Sequence, residues 1–295
     1  AKSGEGQAVL VTGEAGIGKS RLLQAVLDTI RGEEHIALRY QCSPRHTGTA
    51  LWPVVQQLGF AAGFAPDDTE VVKFGKIETL LRQGTEDIGE QAPLIAALLG
   101  LKADECYRLP SLSPVQRRIR TLAALTDQLL GLARRQPVLM IFEDVHWIDP
   151  TTRELLEHAL DRIARARVLV VLTSRPENLP SLSGHPRVTQ LALNRLGRDA
   201  TEAIVARLIG SWSLAPMVLR EIATRTDGVP LFVEELTKAL LEAGNEDQAL
   251  SMAKEVLKQN ASQRDAQALE RRIEELRVSR QGAEPQLGAE FRKPV

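Results

Sequence analysis

The chain has 295 residues, enough for about two average domains, and 43% of them are hydrophobic and 25% charged. This composition is typical of a globular protein that can bury a core, so disorder of the whole chain is excluded. With 37 basic and 38 acidic residues the formal net charge is −1, which excludes the strongly basic footprint of a typical nucleic-acid binder and leaves only a local patch open. Two cysteines, Cys42 and Cys106, cannot build a disulfide scaffold and favour a cytoplasmic location.

The sequence predicts neither a membrane span nor a signal peptide. The charge-free stretch at 50–66 is interrupted by one proline and two glycines and is shorter than the roughly 20 apolar residues that a bilayer requires. The first residue is not methionine, which predicts a fragment or a processed product.

Short apolar runs alternate with helical patterns along the first two thirds of the chain. A strand is predicted at 8–12 and is followed by a helix at 20–30. A second strand at 36–40 precedes a mostly helical region at 49–135. Later strands are expected at 137–142, 168–172 and 188–193, and a helix is expected at 151–164. Continuous Val and Leu runs separated by helices predict a parallel sheet that is covered on both faces. After Asn194 the pattern predicts three amphipathic helices near 197–210, 215–226 and 231–243, and no strand.

The strongest motif lies between the first predicted strand and the helix that follows it. It fits G-x-x-x-x-G-K-[ST] with the residues Gly13, Glu14, Ala15, Gly16, Ile17, Gly18, Lys19 and Ser20. Glycines allow backbone N–H groups to turn inward around phosphate oxygens, helped by the helix N-terminus. Lys19 would reach the β- and γ-phosphates, the Ser20 hydroxyl would ligate Mg²⁺, and the expected nucleotide-binding set runs on to Arg21. A glycine turn with an exposed lysine is the structural alternative.

Two acidic residues, Glu143 and Asp144, follow directly on the third apolar strand. The carboxyl ends of parallel strands are where open α/β sheets bind ligands. One carboxylate can hold Mg²⁺ and the other can polarise the attacking water. From the position of the strand end, Glu143 is expected at the metal and Asp144 at the water, with a helix cap or a solvated turn as the alternative.

Polar residues also follow the fourth strand, where Arg175 comes after a threonine and a serine. This arginine would face the γ-phosphate and report its presence, or it is a surface arginine paired with a carboxylate. The glycine and proline at 228–230 are explained locally as a helix stop and a helix start, with Pro230 in the first helical position. The histidines show no zinc-ligand spacing, and His146 is expected to pack or to orient its neighbours.

Four segments, at 13–20, 142–150, 172–177 and 227–236, occur in an order and at intervals that resemble the STAND branch of the AAA+ ATPases. The most similar subset is the bacterial predicted ATPases found between a class III adenylate cyclase domain and tetratricopeptide repeats. The resemblance implies an α/β P-loop NTPase fold, a three-layer structure with a parallel five-stranded sheet, followed by a small helical lid domain.

The resemblance also implies roles for single residues and for partners. Lys19 and Ser20 would bind phosphate and Mg²⁺, Arg175 resembles the first sensor, and Pro230 would pack near the adenine. Glu143 and Asp144 would form the second nucleotide motif. ATP or ADP with Mg²⁺ are the implied cofactors, and cyclase-type or tetratricopeptide-type domains are the implied protein partners.

Four regions are expected from these patterns. They are a P-loop nucleotide-binding domain at 1–193, a helical lid domain at 194–244, a helical tail with a vague tetratricopeptide character at 245–280, and a disordered tail at 281–295. A recognisable winged helix, which the resemblance would place after the lid, is absent from the sequence.

The leading hypothesis is an ATP-binding and slowly hydrolysing signal-transduction ATPase that acts as a nucleotide-dependent switch. Another P-loop enzyme, a small-molecule kinase or a transporter ATPase, is the first alternative, although the sequence has no Leu-Ser-Gly-Gly signature. A truncated ATPase whose helices only bind partners is the second. The sequence leaves open whether the chain oligomerises.

Overall fold

The computed structural model describes residues 1–101, 112–178, 181–210 and 216–243. The tails predicted at 245–280 and 281–295 lie outside these residues. The chain divides into two compact units. The first comprises Ala1–Glu14 and Lys19–Leu193, and the second comprises Ala15–Gly18 together with the residues from Asn194 onward.

A five-stranded parallel sheet forms the centre of the first unit, with the strand order β2-β3-β4-β1-β5. Its strands are β1 (Gln7–Thr12), β2 (Ile36–Gln41), β3 (Val138–Glu143), β4 (Val168–Ser174) and β5 (Val188–Ala192). All five predicted strands are confirmed, including the position of the fifth at an edge. The third and fourth run further than predicted, because backbone pairing continues past the apolar side chains to include the first polar residues.

Helices cover both faces of this sheet, which confirms the three-layer prediction. Those of the first unit within the described residues are α1 (Lys19–Thr29), α2 (Trp52–Ala61), α3 (Glu70–Leu81), α4 (Ile88–Leu98), α5 (Pro114–Arg135) and α6 (Pro150–Arg162). On one face Leu23 of α1 packs in a cluster with Val11 and Ile141. On the other, a larger cluster joins α2 to α6 around fully buried residues such as Phe142 and Leu156. Burying both faces explains why the central strands are continuously apolar.

A buried carboxylate fixes the start of α6 and the connection that precedes α2. Asp149 is only 2% exposed, and its side chain accepts hydrogen bonds from the backbone N–H groups of Thr151 and Thr152, at 3.0 and 2.9 Å. It also accepts from the Thr152 hydroxyl and, at 3.1 Å, from the backbone N–H of Leu51. Leu51 has a left-handed backbone, with φ 56°. One side chain therefore caps a helix and holds a strained residue that is distant in sequence.

The second unit contains α7 (Arg198–Ile209), α8 (Pro216–Thr226) and α9 (Pro230–Ala243), which confirms the three predicted helices. Its core consists of Val205, Val218, Ile222, Val233 and Leu240. Gly228 is indispensable to the turn before α9, because its φ is +70° and a Cβ there would lie 2.2 Å from the Leu196 carbonyl oxygen. Across the described part of the chain, we find no helix with the length and apolar character needed to cross a membrane.

Candidate functional site

The loop at 13–20 joins β1 to α1 and carries two glycines with left-handed backbones, Gly16 at φ +76° and Gly18 at φ +103°. A Cβ on Gly18 would meet no atom within 4 Å, so glycine is needed there for its backbone conformation. The Lys19 amine folds back over the loop and donates to the carbonyl oxygens of Gly13 at 2.7 Å and Glu14 at 2.8 Å. A positively charged amine is thus bonded to the first two carbonyl oxygens of the glycine loop.

The N-terminus of α1 adds a second positive contribution. The helix begins at Lys19, and its first turn contains no acidic residue that would offset the partial positive charge of the unpaired N–H groups. Ser20 and Arg21, the next two residues, are exposed. Such a helix start attracts anions, and its serine hydroxyl is an oxygen donor of the kind that Mg²⁺ accepts.

Hydrogen bonds bring the polar strand ends together at the carboxyl edge of the sheet. The backbone N–H of Gly13 donates to the carbonyl oxygen of Ser174 at 3.3 Å, which joins the glycine loop to the end of β4. The backbone N–H of Asp144 donates to the Thr173 hydroxyl at 3.0 Å, which joins the end of β3 to β4. The three polar segments that were predicted separately therefore share one edge, where open α/β sheets bind ligands.

The two acidic residues have different partners. Glu143 forms an ion pair with Arg39 of β2, with 2.9 Å between Oε1 and Nη2. Asp144 has a left-handed backbone, with φ 57°, and its Oδ2 accepts a hydrogen bond from Gln41 Nε2 at 3.1 Å. The sequence analysis did not identify either partner from β2. The alternation of Arg39 and Gln41 along β2 indicates that both lie on the same face of the strand. Only the register, which places Gln41 opposite Glu143, shows that this face meets the acidic pair.

Three charged side chains act on the pKa of the Lys19 amine. Burial lowers the pKa of its amine, Asp144 and Glu177 act in the opposite direction, and Arg175 lowers it further. Asp144 follows β3 and Arg175 follows β4, and the Gly13–Ser174 and Asp144–Thr173 hydrogen bonds hold both strand ends beside the loop that leads into Lys19. The structure thus brings together Lys19, Asp144 and Arg175, three of the residues predicted as catalytic, whereas the fourth, Glu143, is turned to Arg39.

His146 lies two residues beyond Asp144, in a short 3-10 turn at Val145–Trp147. Both of its ring nitrogens are buried, and neither has a hydrogen-bond partner within the described residues. Burial lowers the pKa of the imidazole, and the charges of Asp144, Arg175, Lys19 and Glu177 act on it as well. The packing role expected for this residue explains a ring contact with Trp147, at 5.1 Å between centroids, but not the two unpaired nitrogens.

The tip of the loop, Ala15–Gly18, belongs to the second unit and contacts the start of α9. The carbonyl oxygen of Gly16 accepts a hydrogen bond from the backbone N–H of Leu231 at 3.2 Å, and a Cβ on Gly16 would lie 3.0 Å from the Leu231 Cβ. Pro230 occupies the first position of α9, and its expected place near an adenine stays a prediction.

The donors at this edge fit a phosphate chain and Mg²⁺. Backbone N–H groups, an amine and a helix N-terminus suit the phosphates. One hydroxyl and one or two carboxylates suit Mg²⁺, which keeps several waters and takes its remaining ligands from phosphate oxygens. We find no group of three or more His, Cys, Asp or Glu side chains that could hold a metal by themselves in the part of the chain that the structure describes.

Comparison with known proteins gives three results. The family model described as AAA ATPase domain matches residues 1–171. An uncharacterized protein of Rhizobium meliloti (strain 1021) is 33% identical over 240 residues, which are 79% of this chain and 23% of that protein. The chain therefore spans about a quarter of the length of this curated relative. A Walker-type ATPase of Pyrococcus abyssi has a similar structure, with a TM-score of 0.51 and 16% identity, over 92% of this chain and 71% of that one. The fold is that of an α/β P-loop NTPase.

Proposed function

The chain belongs to the AAA ATPase domain family, and we propose that it is a signal-transduction ATPase of the STAND type, a switch that binds ATP with Mg²⁺ and hydrolyses it slowly. The observation that carries the proposal is that hydrogen bonds join the ends of β3 and β4, which lead to Asp144 and Arg175, to the glycine loop that precedes Lys19 and α1. A site with this combination of cations, carboxylate and backbone donors suits a nucleoside triphosphate better than a neutral ligand.

Binding depends on the loop and the helix that follows. Backbone N–H groups of the loop and of the first turn of α1 surround the phosphates. Lys19 exchanges its two carbonyl partners, Gly13 and Glu14, for phosphate oxygens, which are stronger acceptors because they are charged. The Ser20 hydroxyl and Glu143 would hold Mg²⁺, which would neutralise charge on the phosphates.

Hydrolysis depends on the strand ends. Asp144 orients and polarises the attacking water, and Gln41 fixes the orientation of this carboxylate through its hydrogen bond. Glu143 pairs with Arg39 and would help to hold Mg²⁺ from this position. Arg175 faces the terminal phosphate and acts as a sensor.

The switch depends on the loop tip. Residues that would surround the phosphates, Ala15–Gly18, form part of the second unit, and the Gly16 carbonyl is bonded to the Leu231 N–H at the start of α9. A terminal phosphate that reshapes the loop would therefore change the packing of the helices at 194–244, for which we propose the role of a lid on the nucleotide-binding domain at 1–193. Attached domains of the cyclase or tetratricopeptide type would receive the signal.

Calorimetry with ATP and with ADP, in the presence and absence of Mg²⁺, tests the proposal. The wild type should bind both nucleotides and release phosphate from ATP without an acceptor. Lys19→Ala should weaken binding by about 10- to 100-fold, since a charge-assisted contact to phosphate is lost. Lys2→Ala is the matched control, because Lys2 pairs with Glu33 on an exposed surface. Equal nucleotide affinities in the wild type and Lys19→Ala would refute the proposed site.

A further inference from the structure

The carboxylate of Glu143, which would help to hold Mg²⁺, already has a cation as its neighbour. Its Oε1 lies 2.9 Å from Nη2 of Arg39, and the Glu143 side chain is only 16% exposed, compared with 55% for that of Arg39. Water screens such a shielded carboxylate less than one on an open surface, so the pair is stronger than an ordinary surface ion pair. Carboxylate oxygens are also ligands that Mg²⁺ prefers. Two cations can therefore interact with the same side chain.

The strand order shows on which side of β3 the arginine holds this carboxylate. In the order β2-β3-β4-β1-β5, Arg39 belongs to the strand on one side of β3, whereas Ser20 follows β1, which is two strands away on the other side. Adjacent strands are about 4.8 Å apart, so β1 lies about 10 Å from β3. The ion pair therefore draws the carboxylate towards β2, on the side of β3 opposite to the strand that leads into Ser20.

Both charged side chains lie on the face of the sheet that α1 covers. Ile141, two residues before Glu143, packs in a cluster with Leu23 of α1. Side chains two residues apart on a strand share a face, so Glu143 lies on the same face as α1. Arg39 is the register partner of Ile141 and shares this face. The carboxylate is thus on the correct face for a metal bound at the start of α1, and the arginine lies beside it on that face.

We propose that Arg39 competes with Mg²⁺ for the carboxylate of Glu143 and so sets the Mg²⁺ concentration that nucleotide binding requires. The inference rests on the proposed function and adds a residue that determines the metal requirement of the site. Without Mg²⁺, the guanidinium neutralises a carboxylate that would otherwise repel the phosphates. With Mg²⁺, the same positive charge disfavours a second cation at this carboxylate. Removing the guanidinium should therefore make nucleotide binding depend more strongly on Mg²⁺.

Calorimetry on the full chain measures its affinity for a non-hydrolysable ATP analogue with a β,γ-imido bridge, at saturating Mg²⁺ and in EDTA. The ratio of the two affinities reports Mg²⁺ binding in the complex, because the variants do not alter Mg²⁺ binding by the free analogue. Arg39→Gln should raise this ratio by about three- to tenfold, as expected for the loss of one partly shielded ion pair. Arg39→Lys keeps a cation and should stay within about twofold of the wild type. Arg31→Gln is the control, because Arg31 pairs with Asp28 on an exposed surface.

A double variant separates competition for Glu143 from other effects of the arginine. In a Glu143→Gln background the carboxylate is gone, so Arg39→Gln should leave the affinity ratio unchanged. A rise of the same size in that background would overturn the inference. An unchanged ratio in Arg39→Gln alone would overturn it as well, and so would a lower one, which would mean that Arg39 positions Glu143 for the metal.

These results are distinct from those that bear on the proposed function. If the wild type binds the analogue, Lys19→Ala loses this binding and Arg39→Gln leaves the ratio unchanged, then the competition is refuted and the proposed function stands. If the wild type does not bind the analogue under either condition, the proposed function fails and the inference fails with it. Circular dichroism checks that Arg39→Gln folds. If it does not, Arg39→Thr, which introduces a residue type that suits strands, is judged by the same change in ratio.

Discussion

Replacing Asp149 by alanine removes the acceptor of four hydrogen bonds in a nearly solvent-free position. Two of them cap α6 through the N–H groups of Thr151 and Thr152, the third holds the Thr152 hydroxyl, and the fourth holds the N–H of Leu51. The variant leaves these donors in place, and Thr152 is fully buried, so water cannot replace the carboxylate there.

The expected cost follows from these contacts. Loss of an N-cap acid costs about 0.5–2 kcal/mol. The Thr152 hydroxyl and the Leu51 N–H each lose a partner while buried, at about 1–3 kcal/mol apiece. Removing a buried carboxylate returns part of the desolvation cost, so we expect Asp149→Ala to lower the free energy of unfolding by about 4 kcal/mol. Asp149→Asn keeps an oxygen acceptor and should lose about 1–2 kcal/mol.

Urea unfolding followed by tryptophan fluorescence measures this difference. Trp52 and Trp147 lie in the first unit, and Trp212 lies outside the described residues, so a Trp212→Phe background makes the signal report on the unit that contains Asp149. Asp161→Ala provides the control on the same helix, because Asp161 is largely exposed and should change stability by less than about 0.5 kcal/mol.

Two results would refute this reasoning. A loss below about 1 kcal/mol for Asp149→Ala would mean that the donors find other partners once the carboxylate is gone. Equal losses for the alanine and asparagine variants would mean that the stabilisation comes from the charge rather than from the hydrogen bonds. An unchanged denaturant slope in all variants is required for the comparison, since it shows that the same surface is exposed on unfolding.

Three further predictions concern single residues. Burial raises the pKa of the Cys42 thiol to about 12, so in a Cys106→Ser variant at pH 8 iodoacetamide should label native protein more than about 100-fold more slowly than unfolded protein. Similar labelling rates would contradict it. Glu143→Gln should raise the Mg²⁺ concentration for half-maximal hydrolysis, whereas Asp144→Asn should preserve nucleotide binding and slow hydrolysis by about 100-fold or more. If Glu143→Gln slowed hydrolysis and Asp144→Asn raised the Mg²⁺ requirement, the two residues would have the opposite roles. Gly228→Ala should destabilise the second unit by about 2 kcal/mol or more, because its φ is +70° and a Cβ would collide with a carbonyl oxygen. A thermal melt unchanged from wild type would show that this turn relaxes.

Local patterns were sufficient to predict the elements of the fold. The apolar runs at β1, β3 and β4 predict buried parallel strands because their backbones pair on both sides and both of their faces are covered. The loop at 13–20 could also be predicted, because a phosphate loop needs glycines, lysine and serine at fixed spacing within one continuous segment. In both cases the residues that form the pattern are neighbours in the sequence, so it can be recognised without knowing any long-range contact.

Strand register and packing decided what the sequence left open. The pairing of Arg39 with Glu143 joins residues 104 positions apart, and it exists because β2 lies beside β3 in a register that no local pattern contains. The same holds for the bond between Asp149 and Leu51. The unpaired nitrogens of His146 are likewise a property of what surrounds the ring. The amino-acid sequence alone therefore determined the strands, the helices and the glycine loop, whereas the partners of Glu143, Asp144 and Asp149 depend on contacts between distant segments, which only the folded chain brings within hydrogen-bonding distance.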